Sequence, residues 1–119
     1  MGMFNSIYVD ILCPKKKEIS KNTEIQIKWQ KREARVLDVY HVGDLLENIE
    51  AEWNDNWIRT DYICKVCSKQ SRYKDEVFIK VEDQQRHFVF VNIRQGWIKE
   101  ILTEEEFAKR GINKFVEYD

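Results

Sequence analysis

Apolar and polar residues alternate with a period of two through most of this chain, the side-chain period of a β-strand that buries one face. Ile7, Val9 and Ile11 alternate with Tyr8, Asp10 and Leu12, and Ile25, Ile27 and Trp29 with Glu24, Gln26 and Lys28. Leu37 and Val39 alternate with Asp38 and Tyr40. Further on, Val77, Ile79 and Val81 alternate with Phe78, Lys80 and Glu82, and Val89, Val91 and Ile93 with Phe88, Phe90 and Asn92. The last two runs flank Asp83-Gln84-Gln85-Arg86, a polar stretch short enough to predict a hairpin. Residues 57–64 and 97–102 are expected to add two more strands.

Helical signals are few. Thr103 is a good N-cap, Glu106 stands three residues on as its capping-box partner, and Gly111 suits the position just past the last turn. A weaker helix is expected from Asp44 to about Trp53, with Leu45, Leu46, Ile49 and Trp53 on one side. The expected fold is α+β, one domain over residues 1–119, mainly antiparallel β with about six strands and a short C-terminal helix. At 119 residues with 43% apolar residues the chain can bury a core, and fifteen aromatics set it far from disordered composition.

Charge gives little direction. The net formal charge is −1, which argues against a polycation built for nucleic acid or an acidic membrane. Charges are nonetheless blocked: residues 1–35 carry eight bases against four acids, and residues 36–64 one base against seven acids. Residues 65–99 carry eight bases against four acids, and residues 100–119 three against six. No apolar run approaches the ~18 residues of a membrane span, and no secretory signal opens the chain, so cytoplasm is the expected compartment. Met1-Gly2 followed by Ser6 matches a loose acylation pattern, but residues 4–12 read more simply as a first strand and no basic cluster supplies a second anchor.

The chemistry-bearing feature is a set of three cysteines, too few and too odd for a disulfide scaffold. Cys64-Lys65-Val66-Cys67 has metal-ligand spacing and follows an expected strand. A second knuckle is suggested by Cys13-Pro14-Lys15-Lys16, in which Lys16 stands where a fourth thiolate would be expected. The opening run to Cys13-Pro14, the strand Glu24-Ile25-Gln26-Ile27-Lys28, the Tyr40-His41-Val42-Gly43-Asp44 turn and the later C-x-x-C resemble small, mostly uncharacterised bacterial and phage proteins. Those proteins carry a split zinc ribbon in a β-rich domain. The resemblance covers roughly residues 1–80 and implies ligand roles for Cys13, Cys64 and Cys67, with Lys16 departing from the pattern. It implies no activity.

Three states of this degenerate zinc-ribbon-like site follow. One Zn2+ could be held by Cys13, Cys64 and Cys67 with His41, His87 or water; the site could hold no metal; or Cys64 and Cys67 could serve redox chemistry. The third lacks the helix that a thioredoxin-like dithiol heads.

No Walker A, Gly-x-Gly-x-x-Gly, Gly-x-Ser-x-Gly or His-Glu-x-x-His motif occurs, and both histidines lie in strand-like contexts. The acids Glu47, Glu50, Glu52 and Asp55 lack the spacing of a calcium loop. A non-enzymatic protein-binding or assembly domain is therefore expected, of phage derivation if the resemblance extends so far. Its partner would be another protein or a second copy, met by an exposed pair, Trp53 and Trp57, among acids. The alternative is a nucleic-acid-associated ribbon using Lys15, Lys16, Lys17, Lys28, Lys31 and Arg32.

Overall fold

A computed structural model describes residues 5–27, 39–46, 51 and 53–118. Among them lie nine strands: β1 (Asn5–Leu12), β2 (Ile19–Ile27), β3 (Val39–Tyr40), β4 (Asn56–Ile63), β5 (Ser71–Tyr73), β6 (Glu76–Phe78), β7 (Arg86–Arg94), β8 (Trp97–Thr103) and β9 (Val116–Glu117). One α-helix, α1 (Glu104–Lys109), and a single 3-10 turn at Val81–Asp83 complete the secondary structure of the described residues. The expected α+β fold, mostly β with a short C-terminal helix, is what forms. The sheets are mixed, because β1 pairs β3 and β4 pairs β9 in parallel while the other pairings are antiparallel.

Three strands make one sheet in the order β2-β1-β3, and four make another in the order β8-β7-β4-β9. Alternation decides which side chains meet between them. Ile7, Ile11, Ile25 and Ile27 of the first sheet and Ile58, Val89, Val91, Ile93 and Ile98 of the second are all buried in one core. The segment after β3 links the sheets at one margin, where the N–H groups of Gly43 and Leu46 donate to the carbonyls of Ile98 and Gly96, and Ile98 N–H to Asp44. At the opposite margin β2 lies beside β4 with no backbone hydrogen bond between them among the described residues.

The opposite face of the four-stranded sheet packs on α1. Phe107 stacks on Phe90 with ring centroids 3.7 Å apart and meets Trp57 edge-on at 5.4 Å. The capping box forms as expected: Glu106 N–H donates to Thr103 Oγ1, and Thr103 N–H to Glu106 Oε1. Gly111 takes φ +69 just past the helix.

Two expectations fail. Residues 77–82 do not form one arm of a hairpin with β7. Only the first of them extend, in β6, which pairs with β5, while Val81–Asp83 turn into the 3-10 helix. β7 instead takes β4 and β8 as its two neighbours, so no edge is left for residues 77–82. The β7–β8 hairpin is closed by Gln95 and Gly96, both at positive φ, the two-residue turn that suits strand twist. The weaker helix does not begin at Asp44: Leu45 bridges Trp97, and Ala51 and Trp53 lie in turns. Its middle, residues 47–50 and 52, falls outside the described residues, as do Trp29, Leu37 and Met1 to Phe4.

Gly96 is the most constrained glycine. Its φ is +82, a Cβ there would lie 3.2 Å from Leu45 Cδ1, and its N–H donates to Asn54 Oδ1 at 2.9 Å. Gly96→Ala should therefore destabilise the fold by about 1–2 kcal/mol, read from the midpoint of urea unfolding.

Candidate metal centre

Three strand ends converge at one end of the core. Cys13 directly follows β1, Cys64 directly follows β4, and His87 is the second residue of β7. Each follows from local structure. Beyond Leu12 the chain turns, with Cys13 N–H donating to the Glu18 carbonyl at 2.7 Å and Lys17 N–H to the Cys13 carbonyl at 2.9 Å. Lys17 takes φ +58 to complete that turn, and Lys16 N–H points at Cys13 Sγ at 3.4 Å. After β4, Ser68 N–H returns to the Cys64 carbonyl at 3.0 Å, which folds Cys67 back toward Cys64. The β4–β7 register sets Tyr62 opposite His87 and so carries the imidazole to the same end.

The ligand atoms of Cys13, Cys64, Cys67 and His87 all lie within 4.8 Å of one another. Cys13 Sγ is 3.1 Å from Cys67 Sγ, Cys67 Sγ is 3.3 Å from His87 Nε2, and Cys13 Sγ is 3.8 Å from the same nitrogen. Donors around one tetrahedral Zn2+ lie about 3.5–3.8 Å apart, given Zn–S of about 2.3 Å and Zn–N of about 2.0–2.1 Å. The four groups thus fit a single Cys3His ion site. Cys13 and Cys64 are buried, whereas Cys67 and His87 are half-buried and form the solvent side.

Of the candidates for the fourth position, His87 joins the cysteines. His41 lies in the Gly43-Asp44 turn, with its N–H bonded to Asp44 Oδ2 at 2.8 Å and its ring largely exposed. Lys16 leaves no defect in the set. Its ammonium turns away and donates to the Val66 carbonyl at 3.1 Å, tying the two cysteine turns together.

Electrostatics at the centre favour a cation. Burial pushes the Cys13 thiol up, but the N–H of Lys16, the Cys67 thiol and the N–H of Lys15 together hold its pKa below the ordinary thiol value. Cys67 is pushed up to about 12, first by burial and then by hydrogen bonding to Cys13 and Cys64 and by their negative charge. A second thiolate beside the first is disfavoured without a compensating positive charge, which a divalent ion would supply. Tyr62 feels the same cluster: burial, then the charges of Cys64, Cys13 and Cys67, raise its pKa, and its buried hydroxyl has no hydrogen-bond partner among the described residues.

Of the other groups singled out in the sequence, the tryptophan pair is not formed as expected, and the basic and acidic groups are described only in part. Trp53 and Trp57 do not form an exposed pair, because β4 alternation turns Trp57 under α1 while Trp53 packs on the main core beside Tyr118. Asp55, from the acidic group, accepts the Gln95 N–H at 2.8 Å and so caps the β7–β8 turn. Of the basic residues, Lys15, Lys16 and Lys17 are exposed, and Lys17 pairs with Glu105 at 3.1 Å. Lys28, Lys31 and Arg32 lie outside the described residues, as do Glu47, Glu50 and Glu52. Among the described residues no helix is long and apolar enough to cross a membrane.

Comparison with family models, with curated proteins and with solved structures finds no match to this chain.

The burial of Trp57 has a direct consequence. Trp57→Ala should cost about 3–5 kcal/mol of unfolding free energy in urea titration, the loss of a core aromatic. An exposed binding residue would leave the midpoint nearly unchanged.

Proposed function

We propose that this chain is a small zinc-stapled β domain of the split-ribbon kind, with no catalytic chemistry of its own, that serves as a binding or assembly module in a reducing compartment. The observation that carries this reading is the Cys3His set drawn from the turns after β1 and β4 and from β7. Thiolate and imidazole donors in a compact four-fold set suit Zn2+. Four protein donors close the coordination sphere, whereas catalytic zinc keeps a position open for water or substrate. The ion would act as a cross-link between the two sheets, and its binding energy would be folding energy. Three free thiols also suit a compartment that keeps cysteines reduced.

Protein purified under reducing conditions without chelator should carry about one equivalent of zinc by elemental analysis. Cys64→Ser and His87→Ala should each lower that content, and chelation should lower the unfolding temperature of the wild type. In cobalt-loaded protein, tetrahedral visible bands with sulfur-to-metal charge transfer should lose intensity in Cys13→Ser. Absence of metal, three freely titrating thiols and a melting temperature indifferent to added zinc would overturn the reading.

A further inference from the structure

The sulfurs of the Cys3His set differ in what can reach them from solvent. Cys13 and Cys64 are 0% exposed, whereas Cys67 is half-buried and stands with His87 on the solvent side. Cys67 Sγ lies 3.1 Å from Cys13 Sγ, nearer than His87 Nε2 at 3.3 Å. The fold thus sets the one solvent-side sulfur against a buried sulfur of the other turn, 54 residues away in the chain. The two turns are also held together by protein contacts alone. Lys16 Nζ of the first turn donates to the Val66 carbonyl of the second at 3.1 Å, and Lys65 Nζ of the second donates to the Asn22 carbonyl of β2 at 3.1 Å. Gln85 N–H donates to Ser68 Oγ at 2.9 Å, which fixes the end of the second turn beside the start of β7. A disulfide bond is about 2.05 Å long, so the sulfurs of Cys13 and Cys67 have only about 1 Å to close.

We propose that Cys67 is the site at which hydrogen peroxide oxidises this protein, and that Cys13 is the partner that resolves the product into a disulfide. Susceptibility to oxidation follows thiolate character and exposure, and a sensing cysteine is commonly poised beside a resolving one. The pair differs from the Cys64–Cys67 dithiol suggested by spacing, because register and turn geometry bring Cys13 to Cys67 from another sheet. The inference rests on the reading of the centre as a zinc site, since metal binding keeps its sulfurs as thiolates, the nucleophilic form.

In the first step the Cys67 sulfur attacks one peroxide oxygen. An S–O bond forms, the O–O bond breaks, and the departing hydroxide takes a solvent proton and leaves as water. In the second step the Cys13 sulfur attacks the sulfenic sulfur of Cys67. The S–S bond forms, the S–O bond breaks, and a second hydroxide leaves as water with a second solvent proton. Two thiolates, one peroxide and two protons thus give one disulfide and two waters, and the sulfurs lose the two electrons that the peroxide gains. The bond withdraws two of the four donors, and Cys64 with His87 alone cannot close a tetrahedral site, so the ion is released. The cross-link itself survives, because a Cys13–Cys67 bond still joins the end of β1 to the turn after β4. A thiol reductant reverses it, as suits a reducing compartment in which disulfides are transient.

The test titrates zinc-loaded wild-type protein with hydrogen peroxide, follows released zinc with a chromogenic chelator and maps disulfides by mass spectrometry of a non-reduced digest. Expected are a Cys13–Cys67 bond within one molecule, release of about one equivalent of zinc, Cys64 left as a titratable thiol, and renewed zinc uptake after dithiothreitol. Cys64→Ser, which keeps the pair, should still form the bond. Cys13→Ser should stop at a sulfenic acid on Cys67 that dimedone traps. A bond that includes Cys64, a bond formed only between two molecules, or peroxide that leaves all three thiols titrating would overturn the inference. So would zinc retained, or β-sheet circular dichroism lost, once the Cys13–Cys67 bond has formed. The bond is mapped on the wild type, so a poorly folded variant does not blur the result. Zinc content is measured before peroxide is added: a sample that takes up no zinc fails the metal reading, and the bond that peroxide forms in it still decides the pairing.

Discussion

Two apolar sheet faces, each made mostly of β-branched side chains, have to be removed from water against each other, and the rest of the molecule is arranged around that burial. Ile7, Ile25 and Ile27 on one side and Ile58, Val89, Val91, Ile93 and Ile98 on the other are fully buried. Each such side chain contributes about 1.5–3 kcal/mol on burial, and few rotamers are open to it, so the facing sheets settle in one relation. Thr23 is one of several buried polar residues, and its hydroxyl is satisfied by the Ser20 carbonyl and hydroxyl.

That relation decides where the cysteines go. β1 and β4 are each eight residues long, and Cys13 and Cys64, the residues just past them, come out at the same end of the core. A turn at each end then aims sulfur inward. Buried thiolates repel one another, and the fold opposes that cost only in part, with N–H groups directed at Cys13. A cation at this point would relieve the repulsion and tie the ends of both sheets, a large return for one ion in a domain of this size. The side margin is different. There β9 pairs with only two residues of β4, and the two sheets approach without exchanging backbone hydrogen bonds among the described residues. A free edge is normally blunted by charge, and the Asp61–Arg86 pair and Glu24 supply some of that here.

Much of this is legible in the residues. Period-two alternation locates β1, β2, β4, β7 and β8 within a residue or a few at their ends, because each buries one face and so must alternate. Capping chemistry places α1, since Thr103, Glu106 and Gly111 act on backbone groups within a single turn. Cys13, Cys64 and Cys67 stand out as one set from spacing and from their positions after strands. β5 and β9 leave no such trace: Ser71–Tyr73 and Val116–Glu117 are too short to show a period and are mostly exposed. The alternation at residues 77–82 misleads because it records local preference alone, and pairing went to strands whose faces bury more.

Sequence alone determined the strand periodicity, the capped helix, the three cysteines as one candidate set and the choice between His41 and His87 as an open one. Those are properties of single residues and their near neighbours. Tertiary structure decided what depends on residues far apart in the chain. It turned Trp57 from a surface candidate into a core residue beneath Phe107, brought His87 to the cysteines through the register of β4 against β7, and left Asp61 and Ile63 without a backbone partner among the described residues. Register and edge exposure are set by which strands lie side by side, and no local pattern carries that information.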